Sequence, residues 1–182
     1  MNPTTQVRQR HQEPNGHARA PIAKPRTKAK ASSDDWVTPE WLAELLGHFD
    51  LDPCSNDKSH IDAWETCSLD HYEKRRRDGL AFDWERHSVF VNPPYSNVGP
   101  WAAKLVAHEG PWVALLKLDP TTAWWSTLMT ATPTVAPFRR RIKFEGPQAM
   151  TANFPSVLVF SAWRPPADLR QHLWLPTYEA RR

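Results

Sequence analysis

The chain has 182 residues, 40% of them hydrophobic and 24% charged, with 10 Trp, 18 Pro, 6 Gly and a formal net charge of +3. That length supports one compact domain with a real core and excludes two full-sized ones. No apolar run approaches the roughly 18–20 residues that span a bilayer and no signal-peptide pattern is present, so a soluble, intracellular protein is expected.

Residues 1–33 hold Arg8, Arg10, Arg19, Lys24, Arg26, Lys28 and Lys30 against Glu13, while residues 34–182 carry more acid than base. The first stretch has four prolines and no aromatic residue. It cannot bury enough surface to offset its ordering entropy, which predicts a disordered basic arm. Such an arm adds salt-sensitive attraction to phosphate, or is a solvated tail. Residues 34–182 hold all ten tryptophans and form the predicted folded domain.

Thr38-Pro39-Glu40 predicts a helix start, with Thr38 as N-cap and Pro39 at the first helical position. Trp41, Leu42, Leu45 and Leu46 supply its apolar stripe, and Gly47 its stop. Phe49 to Asp52 predicts a short strand ending at Pro53. Residues 54–80 are polar and poorly periodic, and predict an irregular excursion with a helical turn over 68–74 and Arg75, Arg76 and Arg77 at its end. A strand over 88–91 runs into Asn92-Pro93-Pro94-Tyr95. A helix over 98–108, a strand over 112–116, a helix from Thr121 to before Pro133, and strands over 134–138 and 156–160 follow. Strands alternating with helices predict an α/β fold with a largely parallel sheet. Ligands gather at the carboxyl ends of such strands, which puts Asp52-Pro53 and Asn92 to Tyr95 in one crevice.

Few glycines are present, and they form neither a G-x-G-x-x-G fingerprint nor a Walker A loop, which argues against a dinucleotide-binding enzyme or a P-loop NTPase. Asn92-Pro93-Pro94-Tyr95 carries the chemistry. Two prolines fix the backbone and remove two N–H donors. The Asn92 side-chain oxygen and the Pro93 carbonyl remain as rigid acceptors beside an aromatic plane. A planar NH2 group fits there, donating both hydrogens while its ring stacks on Tyr95. Such an arrangement favours a free lone pair on nitrogen for in-line attack on an electrophilic methyl, by positioning and electrostatics alone. A structural turn after a strand is the plain alternative.

N-P-P-Y after an apolar strand resembles the signature of amino-methyltransferases that use S-adenosylmethionine. More closely, residues 36–160 resemble the phage-type Dam DNA N6-adenine methyltransferases. The matching elements are Trp36-x-Thr38-Pro39, Leu51-Asp52-Pro53-Cys54, Gly79-Leu80 with Trp84, Val91 to Tyr95, Trp124-Trp125, Arg141-Ile142-Lys143-Phe144, and Asn153-Phe154-Pro155-Ser156. The resemblance implies a compact class I methyltransferase fold and methylation of the adenine N6 amine in double-stranded DNA, with a flipped target base. It implies Asn92, Pro93, Pro94 and Tyr95 as the catalytic grip. Trp36, Thr38, Pro39, Asp52 and Pro53 are the implied residues around the S-adenosylmethionine cofactor. A phage or prophage enzyme in the bacterial cytoplasm, acting as a monomer or weak dimer, is the implied setting. The usual glycines of the cofactor loop are replaced here by Cys54-Ser55-Asn56-Asp57, which the small phage-type enzymes also resemble.

Arg139, Arg140, Arg141 and Lys143 are expected on DNA phosphates. Cys54, His60, Cys67 and His71 can be drawn as a zinc set, but without a C-x-x-C pair no metal is expected. Trp41, Trp101, Trp112 and Trp124 sit at apolar-periodic positions and are expected in the core. Asp83 either meets substrate or caps a turn. Phe144 or Phe154 is expected near the target base. The competing readings are a DNA-binding protein without catalysis, a cytosine N4 methyltransferase, which more often has Ser at the Asn92 position, and a protein glutamine methyltransferase, which typically keeps a glycine-rich loop.

Overall fold

Alternating apolar side chains along short strands need cover on both faces, and helices provide it here. In chain order the elements are α1 (Glu40–Leu46), β1 (Phe49–Ser55), β2 (Ala63–Ser68), β3 (Val89–Val91), α2 (Val98–Ala107), β4 (Trp112–Lys117), α3 (Ala123–Met129), β5 (Thr134–Pro137), β6 (Ser156–Ser161) and α4 (Ala167–Arg170). They come from a computed structural model that describes residues 36–56, 58–68, 78–146 and 151–175. The basic arm, His71, Arg75, Arg76 and Arg77 lie outside those residues.

The strands form one sheet in the order β2-β1-β3-β4-β6-β5. The first four are parallel neighbours, while β6 runs antiparallel to both β4 and β5, so β6 alone is reversed. This bears out the expected α/β fold with a mostly parallel sheet. Period-two alternation along β3, β4 and β6 sends Val89, Val91, Trp112, Ala114, Leu116, Val157 and Val159 to one face, where Trp101 and Leu105 of α2 and Trp125 and Leu128 of α3 pack. Leu51 joins them because β1 is irregular where the Asp50 and Leu51 N–H groups share the Ser88 carbonyl. Phe49, Phe90, Val113, Leu115, Leu158 and Phe160 go to the other, with Leu42 and Leu46 of α1 and Leu169 of α4. Each such side chain contributes about 1.5–3 kcal/mol on burial, which is why these short helices hold. Among the described residues no helix is long and apolar enough to cross a membrane.

The structure corrects four expectations. Pro39, not Thr38, is the N-cap of α1, and no side chain of its own caps the helix. The Glu145 carboxylate takes that place, accepting the Glu40 N–H at 3.1 Å. β1 continues through Pro53 to Ser55, with a register shift against β2 that lets proline sit within the strand. The excursion over 54–80 contains β2, an edge strand that ends at Ser68, and the rest of the helical turn expected over 68–74 lies outside the described residues. Trp101 and Trp112 are buried as expected, but Trp41 is 39% exposed and leans on His172.

Reversal of β6 has a positional consequence. Its first residue, Ser156, pairs with Lys117 at the end of β4, and Val157 pairs with Pro137 at the end of β5. One edge of the sheet therefore collects the end of β1, Asn92 after β3, Lys117, Phe154 ahead of β6 and Arg139 after β5.

Candidate active site

β3 is wholly buried and pairs on both sides, so its end is a fixed point. Pro93 and Pro94 cannot continue the ladder, and the chain turns there, with the Asn97 N–H donating to the Pro94 carbonyl at 3.0 Å before α2 begins. Asn92 stands at that corner. Its Nδ2 donates to the Thr38 hydroxyl at 3.2 Å, which orients the amide and turns Oδ1 into a spare acceptor. Among the described residues nothing donates to that Oδ1 or to the Pro93 carbonyl. Thr38, expected as a helix cap, is thus an orienting partner of Asn92.

Four aromatic rings wall the same corner. Trp36 stacks on Phe144 at 5.0 Å and on Phe154 at 5.5 Å. Tyr95 meets Trp36, Phe144 and Phe154 edge-on, with interplanar angles of 84–87°. Edge-to-face contacts of this kind fix ring planes beyond what burial alone does. The Tyr95 hydroxyl is directed at the Leu115 carbonyl, 3.5 Å away, and burial pushes its pKa up. Phe144 is buried, whereas Phe154 is half-buried at the open side.

Asp52 and Pro53 lie at the end of β1, the strand next to β3. Asp52 is only 3% exposed. Its carboxyl accepts the Cys54 N–H at 3.1 Å and the Ser59 hydroxyl at 3.3 Å, yet burial outweighs these bonds and holds its pKa up at about 7. Burial also pushes the Cys54 thiol well up, and the Asn92 backbone N–H points at it, which ties the two strand ends together. Behind Pro53 sits Gly79: a Cβ there would lie 2.0 Å from the Pro53 carbonyl oxygen. The Trp84 indole donates to the Gly79 carbonyl at 2.9 Å and locks that approach.

Residues 36–40 are held from far along the chain. Val37 and Glu145 exchange backbone hydrogen bonds of 2.9 and 3.1 Å. Glu145 also meets His60 at 2.8 Å, and the Glu40 N–H, with His60 second, keeps its carboxyl below the usual range. His60 is therefore engaged away from the buried Cys54 and Cys67, which form no disulfide.

The basic residues after β5 lie on the same edge. Arg139 donates to the Leu173 carbonyl and covers the Trp174 ring at 4.0 Å, and Arg141 donates to the Ala152 carbonyl. Arg140 and Lys143 are exposed, and none of the four makes an ion pair among the described residues. Three strand spacings, about 14 Å, separate the end of β3 from the end of β5. Asp83 accepts the Glu85 N–H at 3.0 Å, the turn contact that was one of its two expected roles.

Two residues of the site escape sequence reasoning. Glu145 caps α1 from 105 residues away, and Lys117 places its ammonium over the Tyr95 and Phe154 rings. The only signal for either was proximity to a noted motif or element: Glu145 follows Phe144, and Lys117 follows the strand expected over 112–116.

A family model described as DNA N-6-adenine-methyltransferase (Dam) matches residues 26–173. A DNA N-6-adenine-methyltransferase of Haemophilus phage HP1 (strain HP1c1) is 29% identical over 114 residues, which cover 57% of this chain and 61% of that protein. The chain thus spans less than two thirds of that relative's length.

Proposed function

The chain belongs to the DNA N-6-adenine-methyltransferase (Dam) family, and from that premise we propose that it transfers a methyl group from S-adenosylmethionine to the N6 amine of adenine in double-stranded DNA. The observation that carries this reading is the pair of acceptors left unengaged among the described residues, the Asn92 Oδ1 and the Pro93 carbonyl, held beside Tyr95 at the end of β3. An exocyclic amine has two hydrogens to give, and the corner has two acceptors for them. Accepting both localises the lone pair on nitrogen, and the bonds strengthen as positive charge grows there. Asn92 then holds the N6 proton until water takes it, Pro93 and Pro94 keep the acceptors from swinging, and Tyr95 fixes the plane of the ring.

The residues at the end of β1 fit the cofactor's chemistry. Asp52, a carboxyl held up at about 7, ionises readily when a cationic ligand approaches and becomes a charge-assisted partner. S-adenosylmethionine, when bound, would supply an electrophilic methyl group on a sulfonium. Trp36, Thr38, Pro39, Asp52 and Pro53 are the residues we assign to it. The mostly parallel sheet, with Asp52 and Asn92 at the carboxyl ends of neighbouring strands, supports a class I assignment. Arg139, Arg140, Arg141 and Lys143 would take backbone phosphates, with residues 1–33 as an accessory basic arm and 34–182 as the catalytic domain. Shielding of phage DNA in the host cytoplasm, by a monomer or weak dimer, is the setting this reading implies.

The test is transfer of labelled methyl to unmethylated duplex DNA, followed by digestion to nucleosides and identification by mass. Label in 6-methyladenine supports the proposal. Label in 4-methylcytosine overturns the base assignment while keeping the site. DNA binding without any transfer would make the chain a binding module on the same fold.

A further inference from the structure

Lys117 closes β4 on the edge that carries Asn92, opposite Ser156 of β6. Its ammonium stands 4.7 Å from the Phe154 ring centroid and 5.1 Å from that of Tyr95. It is half-buried, and among the described residues it has neither a carboxylate within ion-pair distance nor a hydrogen-bond acceptor. The nearest acid in sequence, Asp119, is directed at Thr121, whose N–H and hydroxyl its Oδ1 accepts. Lys104 shows the contrasting case: it stands over Trp84 but also donates to the Leu80 and Phe82 carbonyls, so its needs are met internally.

An ammonium with three N–H donors and only π faces for company is incompletely compensated. Solvent meets those donors in the free protein, a ligand's oxygens can replace it, and position selects which ligand. One strand separates Lys117 from the β1 end where Asp52 lies and one separates it from β5 and its basic extension, but its ammonium is closest to Phe154, the half-buried ring ahead of β6 on the side of that extension. Lys117 therefore continues the row formed by Arg139, Arg140, Arg141 and Lys143 and brings it up to the reaction corner. We propose that Lys117 is a positioning residue for the DNA strand: its ammonium binds a backbone phosphate adjoining the target nucleotide and anchors that nucleotide against the aromatic wall beside Asn92. The inference rests on the methyl-transfer reading of the same site.

The test uses the full chain and a mixed-sequence duplex, with binding measured across salt concentrations for the unaltered protein, Lys117→Met, Lys117→Gln and Lys117→Arg. One lost phosphate contact lowers the magnitude of the log–log salt slope by about 0.9. Lys117→Met and Lys117→Gln are expected to show that drop, with a roughly tenfold weaker affinity near 0.1 M salt and a KM for DNA that rises more than kcat falls. Lys117→Arg should keep the slope, and S-adenosylmethionine affinity should be the same in all four proteins. An unchanged slope in both neutral variants overturns the proposal, because a purely structural lysine leaves it unmoved. A tenfold loss of S-adenosylmethionine affinity with the DNA slope intact also overturns it, placing the cofactor's carboxylate on Lys117 instead. Binding needs no turnover, so a Lys117-dependent slope without methyl transfer defeats the catalytic reading alone. Methyl transfer with a Lys117-independent slope defeats only this one.

Discussion

Replacing Asp52 with Asn should make the free protein more stable above neutral pH while weakening its hold on the methyl donor. The carboxyl is moved by burial from an ordinary 3.8 to about 7. The difference corresponds to roughly 4 kcal/mol of penalty on the charged form. A carboxyl raised in the folded state costs nothing below about pH 4, where it is protonated in both states. The penalty then grows as pH rises through the interval up to about 7 and is constant beyond. Asn keeps the shape, its Oδ1 can still accept the Cys54 N–H, and its NH2 can donate to the Ser59 hydroxyl, so the loop after β1 should survive the change. Allowing for the poorer match at Ser59, a net gain of about 2 kcal/mol at pH 8 is expected, or roughly 4–8 °C in the melting midpoint. Thermal melts of both proteins at pH 4, 6 and 8, with and without S-adenosylmethionine, measure it. The variant should melt below the parent at pH 4, where only the poorer match at Ser59 acts, and above it at pH 8, and ligand-induced stabilisation should shrink in the variant. A variant equally or less stable than the parent at pH 8 would refute the claim that this carboxyl is strained by burial for the sake of a ligand.

Asn92→Ala should lower kcat by roughly 100-fold or more while DNA affinity and the melting midpoint change little, as steady-state kinetics and a melt would register. Thr38→Val, which frees the Asn92 amide to rotate, should reproduce part of that loss without touching the acceptors themselves. Gly79→Ala forces a methyl against the Pro53 carbonyl and should destabilise by about 3 kcal/mol in urea unfolding. Deleting residues 1–33 should weaken DNA binding mainly at low salt and flatten the salt slope, and an identical slope would remove the arm from the interface.

Much of the architecture was legible because β3, β4 and β6 are buried on both faces and read as unbroken apolar runs, and α2 shows an apolar stripe. β2 was not, because an edge strand has one neighbour and its Trp64 and Thr66 face water, so Ala63 to Ser68 lacks an apolar signature. The corner at Asn92 was legible through two prolines in a row, a pattern whose backbone effect is local. Thr38 was misassigned because its spacing before α1 satisfies a capping pattern, whereas its partner lies 54 residues on. Glu145 and Lys117 were invisible for the same reason: each acts through contacts that only strand order creates, and no window along the chain contains both ends of them.

Glu145 has a consequence for how two ligands would sense one another. One carboxylate fastens the segment bearing Trp36 and Thr38, and it also grips His60 in the loop that follows Asp52. Its own neighbour, Phe144, belongs to the ring stack beside Asn92, where the proposed target base would sit. Whatever steadies one side of this clasp steadies the other, so the entropy of ordering is shared between cofactor and DNA rather than met twice. Affinities measured singly and together should then differ by one common factor, the same for either order of addition, and cutting the clasp with Glu145→Gln should drive that factor toward unity.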